Sequence, residues 1–237
     1  MIESFLFTLK ASAMTHHVLL LHGLYLNRWA MLPFARLLQP YDFTSHTFGY
    51  YTIWQQLPQH LTALAKQVSQ HYEQCQQPLH LVGHSLGGLV LRHFAVAYPH
   101  LVRGRIVTLG TPHQGSIVAQ QIWQWGLSKP LLGGAYPAPL NGNLPPLPSG
   151  VELGSIAGNH RLGLGNILGL NEESDGTVRV LETYCEGMRD HIILPCSHTS
   201  LLLSQQAAHQ TATFLLHGKF VHSAQTDTLW HNNIETK

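Results

Sequence analysis

Charge is what this 237-residue sequence has least of: Asp, Glu, Lys and Arg together make up 11%, against about a quarter in typical soluble chains. Gln, His, Ser, Thr and Asn must therefore supply most of the polar surface. The net charge is +1 and there is no Lys/Arg-rich run, which removes the electrostatic basis for nucleic-acid binding. No apolar run approaches the length of a membrane span, and the absence of internal repeats excludes a solenoid. Cysteine is scarce. Cys75, Cys185 and Cys196 fit no zinc spacing and leave one thiol over under any single disulfide, so a reducing, cytoplasmic location is the simpler expectation. Cys185 and Cys196 would meet if their segments ran antiparallel, which keeps a secreted or periplasmic location open. Ala11-Ser12-Ala13 has the form of a signal-peptidase site. Against it, Glu3 stands where a positive charge belongs and only Phe5 to Leu9 forms an apolar core, so a cleaved leader is not expected.

Hydrophobic residues are plentiful at 44%, enough for a large core, and the length suits one domain spanning 1–237. Histidine is unusually frequent, with 18 residues. Since each titrates near pH 6.5, the chain is expected to become markedly cationic in mild acid.

Strands alternate with helices along the chain. Thr15 to Gly23 carries the continuous apolar run of a strand buried on both faces, and Trp29 to Leu38 shows helical periodicity. Phe43 to Tyr50 reads as a second strand, Ile53 to Cys75 as a long helix and Leu79 to Val82 as a third strand. Arg105 to Leu109 follows, then an irregular, proline-rich insertion at 117–150. Glu152 to Ala157 resumes the strands, a glycine-rich loop runs from Gly158 to Glu173, Ile192 to Leu194 is the last strand and Leu201 to Leu216 a closing helix. The alternation predicts an α/β fold with a mostly parallel central sheet flanked by helices. The tail, 218–237, is polar, and its Phe220 to His222 either frays or pairs with Phe5 to Leu9.

The most informative segment is Leu79 to Gly88, L-H-L-V-G-H-S-L-G-G. It reads as strand, sharp turn and helix, the turn being Gly83-His84-Ser85-Leu86-Gly87. A serine at such an apex sits in a strained conformation with its hydroxyl projected off the sheet, and its flanks tolerate almost no side-chain volume. The helix that starts at Leu86 aims unpaired N–H groups and its positive dipole end at the serine. Ser85 is thereby placed as a nucleophile.

A nucleophilic serine needs an imidazole to take its proton and a carboxylate to hold that imidazole. On a parallel sheet these belong on later loops at the strands' carboxyl ends. Asp175, in Ser174-Asp175-Gly176-Thr177-Val178, is the best acid, although an Asp-Gly pair is also an ordinary turn. Glu172 and Glu173 lack the adjacent glycine, and Asp190 precedes a strand. His198, in the loop after Ile192 to Leu194, is the best base, and His191 is disfavoured because it begins that strand. The N–H groups of Leu86 and of Leu24, in His22-Gly23-Leu24, are positioned to receive an oxyanion. His113 reads as a residue that fixes the turn after its strand.

His22-Gly23-Leu24, Gly83-His84-Ser85-Leu86-Gly87-Gly88, Thr108 to Ser116, Ser174 to Val178 and His198, in that order, resemble the bacterial serine lipases and esterases of the α/β-hydrolase superfamily over most of Val18 to Leu216. The resemblance implies an α/β-hydrolase fold with a compact cap or lid insertion. It implies Ser85 as nucleophile, Asp175 as acid, His198 as base, Leu24 and Leu86 as oxyanion donors, and hydrolysis of carboxylic esters through an acyl-enzyme. Larger lipases similar to this chain often carry structural calcium and a long helical lid. No calcium ligands match here, so no metal and no cofactor is expected, and the short insertion argues against strong interfacial activation.

The expected partner is a small-molecule or lipid ester substrate, with transient contact at a lipid interface left open and with no nucleic acid or partner protein. Trp123, Trp125, Leu127, Leu131 and Leu132 either line an acyl pocket or pack beneath the insertion; their residue types do not decide. Acyl transfer to another acceptor, thioester or amide cleavage, and a non-catalytic binding module on the same fold are the alternatives.

Overall fold

The computed structural model describes residues 15–124, Leu140, 144–162 and 172–222. Its described strands form one six-stranded sheet, β1 (His16–Leu21), β2 (Phe43–Phe48), β3 (Leu79–His84), β4 (Ile106–Leu109), β5 (Leu153–Gly158) and β6 (Asp190–Leu194). The order is β2-β1-β3-β4-β5-β6, with every pairing parallel. Parallel pairing brings all six carboxyl ends to one edge, where the loops that follow them converge.

The apolar runs behave as a sheet covered on both faces requires. In β1, Leu19 and Leu21 join the core beneath the helices α2 (Leu57–Cys75) and α3 (Leu86–Ala97). Val18 and Leu20 face the opposite core, with α1 (Leu32–Leu38) and α5 (Gln205–His217), the element numbered α5 counting α4 as Ile117–Gln124. The alternation is the period-two geometry of a strand. It continues at β4, where Ile106 joins the first core and Val107 and Leu109 the second.

Helix boundaries differ from the sequence expectation where capping or proline intervenes. The expected Ile53–Cys75 helix begins only at Leu57, because Gln56 is extended (φ −90°, ψ 160°) and Pro58 fits only a first turn. Gln59 accepts from the Gln56 N–H at 2.9 Å and closes that end. The segment from Trp29 splits into a tight turn, Arg28–Met31, and α1, since Pro33 has no N–H to continue a longer ladder. The expected Leu201–Leu216 helix is likewise two pieces, a 3₁₀ turn at Ser200–Leu203 and then α5. Ser204 separates them by adopting an extended backbone and accepting from the Ala207 N–H at 3.1 Å.

Of the expected insertion, α4 and 144–150 are described; residues 125–139 and 141–143 lie outside the description. Phe220 to His222 do not fray. Phe220 N–H and His222 Nε2 bond the Asp190 carboxylate at 2.7 and 2.9 Å, and Gln210 holds Val221 from both sides. Their expected partner, Phe5 to Leu9, lies outside the described residues. Cys75, Cys185 and Cys196 are free thiols.

Ser204→Ala removes the cap that starts α5. We expect a loss of about 1 kcal/mol, or roughly 2–4 °C in Tm, measured by calorimetry; an unchanged midpoint would show that packing alone sets this helix start.

Candidate active site

Ser85 sits between the central strand β3 and α3 at φ 54°, ψ −121°, a backbone region that L-residues rarely occupy. Three hydrogen bonds hold it there. Its N–H donates to Leu109 O at 2.9 Å, and its carbonyl accepts from Gly88 N–H and from Thr111 Oγ1, each at 3.0 Å. The flanking glycines are required by space: a Cβ on Gly83 would lie 2.5 Å from Gly88 N, and one on Gly87 2.6 Å from Leu21 O. The loop after β1 passes equally close, since a Cβ on Gly23 would lie 3.0 Å from Ser85 Cβ. Among the described residues the Leu24 and Leu86 N–H groups have no hydrogen-bond acceptor.

Asp175 and His198 arrive from loops that follow β5 and β6. His198 Nδ1 lies 2.6 Å from Asp175 Oδ2, and the His198 N–H donates to Asp175 O at 2.9 Å. The carboxylate is fully buried. Its other oxygen accepts from Thr177 and Val178 N–H at 2.9 and 2.7 Å, so the Asp-Gly turn of the sequence is also the carboxylate's mount. Gly110, at φ +55°, leaves room for the pair, for a Cβ there would lie 2.9 Å from Asp175 Oδ2 and 3.0 Å from His198 Nδ1. With Nδ1 donating to the carboxylate, Nε2 is the ring nitrogen that carries the lone pair in the neutral tautomer.

His84, directly before the serine, is a member of the site that the sequence reading did not single out. Its Nε2 lies 3.0 Å from the His198 carbonyl and the two rings are 4.8 Å apart. Burial, and then the charge of His198, pushes its pKa down to about 3. His84 is therefore neutral, with its proton on Nε2 to donate, and it fastens the loop bearing His198 to the residue next to Ser85. The signal available was its place inside G-H-S-L-G, masked by 17 other histidines. Ser85 Oγ makes no hydrogen bond among the described residues. The imidazole and the carboxylate are thus joined by a hydrogen bond, and Ser85 Oγ is joined to neither.

The other candidates hold structural positions. His113 Nε2 bonds Thr108 Oγ1 at 3.0 Å, within its own strand and turn. His191 Nε2 bonds Thr183 Oγ1 at 2.8 Å and its ring stacks on Tyr184. Asp190 holds the C-terminal segment, Glu173 accepts from Asn159 Nδ2 at 2.8 Å, and Glu172 pairs with Arg179 at 3.1 Å. Trp125, Leu127, Leu131 and Leu132 lie outside the described residues, and nothing is described of the Trp123 side chain.

An aromatic groove of about 520 Å³ adjoins His22, lined by Tyr25, Trp29, Tyr51 and Trp54 among others. Tyr25 N–H donates to Thr52 Oγ1 at 3.3 Å, joining the loops after β1 and β2. Trp54 is 88% exposed and Trp29 66%. The cue was the aromatic density of Tyr50-Tyr51-Thr52-Ile53-Trp54, whose ends the expected strand and helix absorbed, whereas β2 stops at Phe48 and α2 starts at Leu57.

Residues 18–140, just over half of the chain, match the model of the palmitoyl protein thioesterase family. Among solved structures, the mature lipase of Bacillus licheniformis is similar at a TM-score of 0.69 and 17% identity, over 88% of this chain and 94% of that one. A metagenomic carboxyl esterase is similar at 0.62 and 16%, over 87% and 75%. The thioesterase of the prodiginine pathway of Streptomyces coelicolor is similar at 0.56 and 13%, over 84% and 89%. At these identities the structures speak for the fold alone. No curated protein sequence matches.

The expectation that every histidine charges in mild acid needs correction. Burial first, aided by neighbouring positive groups, lowers His80 to about 4 and His84, His113 and His191 to about 3. Between pH 6.5 and these values the unfolded chain takes up protons that the folded chain refuses, so stability is intact above pH 6.5 and falls as pH drops through that window. The urea midpoint should decline steeply from pH 7 to pH 4.5; a flat profile would refute neutral burial.

Proposed function

The chain belongs to the palmitoyl protein thioesterase family of α/β-hydrolases, a hydrolase of the lipase, esterase and thioesterase type, and on that premise we propose that it cleaves carboxylic esters by acyl transfer through Ser85. The observation that supports this most is a conjunction. A serine in a strained strand-to-helix turn shares one sheet edge with a buried carboxylate bonded to a histidine whose loop is fastened beside that serine.

The chemistry follows from these groups. Ser85 Oγ attacks the ester carbonyl carbon and its proton passes to His198 Nε2, while Asp175 stabilises the imidazolium. The carbonyl oxygen becomes an oxyanion that accepts from the Leu24 and Leu86 N–H groups, the latter at the positive end of α3. Collapse breaks the bond to the leaving alcohol, which takes the proton from His198. Water, deprotonated by the same imidazole, then attacks the acyl-enzyme; collapse breaks the bond to Ser85 Oγ, which takes the proton back from His198 as the acid is released. The groove at Trp54 is assigned to the acyl chain.

The family match favours a second reading, in which the leaving group is a thiol. The same groups serve it, and the better leaving group leans less on protonation by His198. A pair of oxygen and sulfur esters with the same acyl chain separates the two by their ratio of kcat/KM.

Ser85→Ala should abolish p-nitrophenyl ester turnover and labelling by a fluorophosphonate probe, and undiminished activity would refute the nucleophile. Wild-type protein that refuses the probe would instead mark a binding module. Asp175→Asn should lower kcat about 10⁴-fold, as for other triad carboxylates.

Trp54→Ala should raise KM for long acyl chains roughly tenfold, the worth of about two buried methylenes, and leave acetyl esters unaffected. Equal effects on both would place the acyl chain elsewhere.

A further inference from the structure

Far from the serine, at the edge of the sheet formed by β2, three histidines and a cysteine converge. His17 lies on β1 and His46 on β2; Leu19 is the register partner of His46 and His17 that of Thr44. The two histidines are thus offset by two positions and share a face. His71 and Cys75 stand one helical turn apart at the end of α2, which brings them together on one side of that helix.

The contacts among them are short. His17 Nδ1 lies 3.4 Å from His46 Nε2, and Cys75 Sγ lies 3.3 Å from His71 Nδ1. The His17 and His71 ring centroids are 4.9 Å apart and those of His46 and His71 6.0 Å. One ligand atom from each of His17, His71 and Cys75 lies within 4.8 Å of the others. His17, His71 and Cys75 are half-buried and His46 exposed, so the cluster is open to solution.

We propose that His17, His46, His71 and Cys75 bind a divalent zinc-type ion in a tetrahedral N₃S site. Zinc takes imidazole nitrogen at about 2.0–2.1 Å and thiolate at about 2.3 Å, which sets tetrahedral ligand–ligand edges of roughly 3.4–3.6 Å. The 3.3 and 3.4 Å contacts approach that edge in length; Cys75 Sγ is also 3.4 Å from His71 Nε2, over the face of the ring, so His71 must turn its ring to aim one nitrogen at the ion. The trio's ligand atoms, all within 4.8 Å of one another, close to that edge by at most about 1.2–1.4 Å of side-chain movement.

The donor set decides the class of ion. Three nitrogens and a sulfur suit zinc and its borderline neighbours and give calcium or magnesium nothing to bind. The last turn of α2 also carries the negative end of the helix dipole. Four protein ligands fill the tetrahedron, so the site is structural: it ties the outermost strand and its neighbour to the end of α2. The spacing escapes sequence inspection because three separate elements supply the ligands.

The test uses the full chain, stripped with a chelator and titrated with cobalt(II) alone and then zinc(II). One equivalent of cobalt should develop the intense visible bands of tetrahedral coordination together with a thiolate charge-transfer band, and zinc should displace it. Zinc at a hundredfold excess over its Kd should raise Tm by about 5–10 °C. Cys75→Ala should lose the charge-transfer band, and His17→Ala should weaken zinc binding at least tenfold, with far-UV circular dichroism and urea midpoints confirming that both variants fold. Absence of tetrahedral bands in the wild type would overturn the proposal. So would spectra and affinity unaltered in both variants, which would put the ion on other histidines.

Discussion

A non-glycine residue at φ 54°, ψ −121° costs on the order of 1–3 kcal/mol, and the arrangement around Ser85 leaves the chain no way to relax it. On one side β3 is bonded to β1 and β4 across its length. On the other, α3 is buried on most of its residues, from Leu86 to Ala95. Turning Ser85 to an ordinary conformation would re-aim α3 and pull that face out of the core it shares with α2 and β3. The strain is small beside the apolar surface that would be exposed. Packing of one helix therefore fixes where one hydroxyl points.

The same economy governs the partners. A carboxylate and an imidazole on separate loops would wander unless their backbones were held, and both are. Asp175 accepts through its side chain from its own turn and through its carbonyl from His198. His198 is bonded at its N–H by Asp175 and at its carbonyl by His84. The loop after β4, which carries Thr111, is secured in turn by the buried Glu182: its carboxylate accepts from Ile117 N–H at 2.8 Å and its carbonyl from Gln114 N–H at 3.1 Å. The loops after β5 and β6 share a backbone bond, and the side chains of His84, Thr111 and Glu182 fasten their neighbours to main-chain groups, so both kinds of bond set the site's geometry.

What was readable in the sequence follows from this division. Buried parallel strands declare themselves by unbroken apolar runs, as at Val18 to Leu21, and the turn at Ser85 by glycines that steric exclusion makes mandatory. Asp175 was readable because its turn chemistry and its carboxylate role use the same residue. His84 was not, since its place inside G-H-S-L-G does not reveal that it bonds a carbonyl over a hundred residues away. Ser204 hid directly after the apolar run Leu201-Leu202-Leu203, where the expected helix ran on through the cap that interrupts it. The aromatic groove left only the density of aromatics at Tyr50 to Trp54 as a trace: exposed loop residues obey no period, and the fold alone brings Trp29 and Trp54 to one groove.

Histidine is the most frequent buried polar side chain among the described residues of a chain so poor in charge, and His84 shows why a neutral imidazole is used where an apolar side chain would pack at less cost. A neutral imidazole offers one donor and one acceptor. At His84 the donor reaches the His198 carbonyl, while Nδ1 is buried without a partner among the described residues. Such an orphan acceptor forfeits about 1–3 kcal/mol. Leucine would avoid that loss and fill similar space, but it would release the loop that carries His198. A buried group that is only half satisfied is better explained by what it positions than by what it stabilises. The unsatisfied nitrogen itself faces Gly23, where an added Cβ would lie 3.0 Å from it, so one ring spaces the β1 loop from the serine turn while its other edge sets the position of His198.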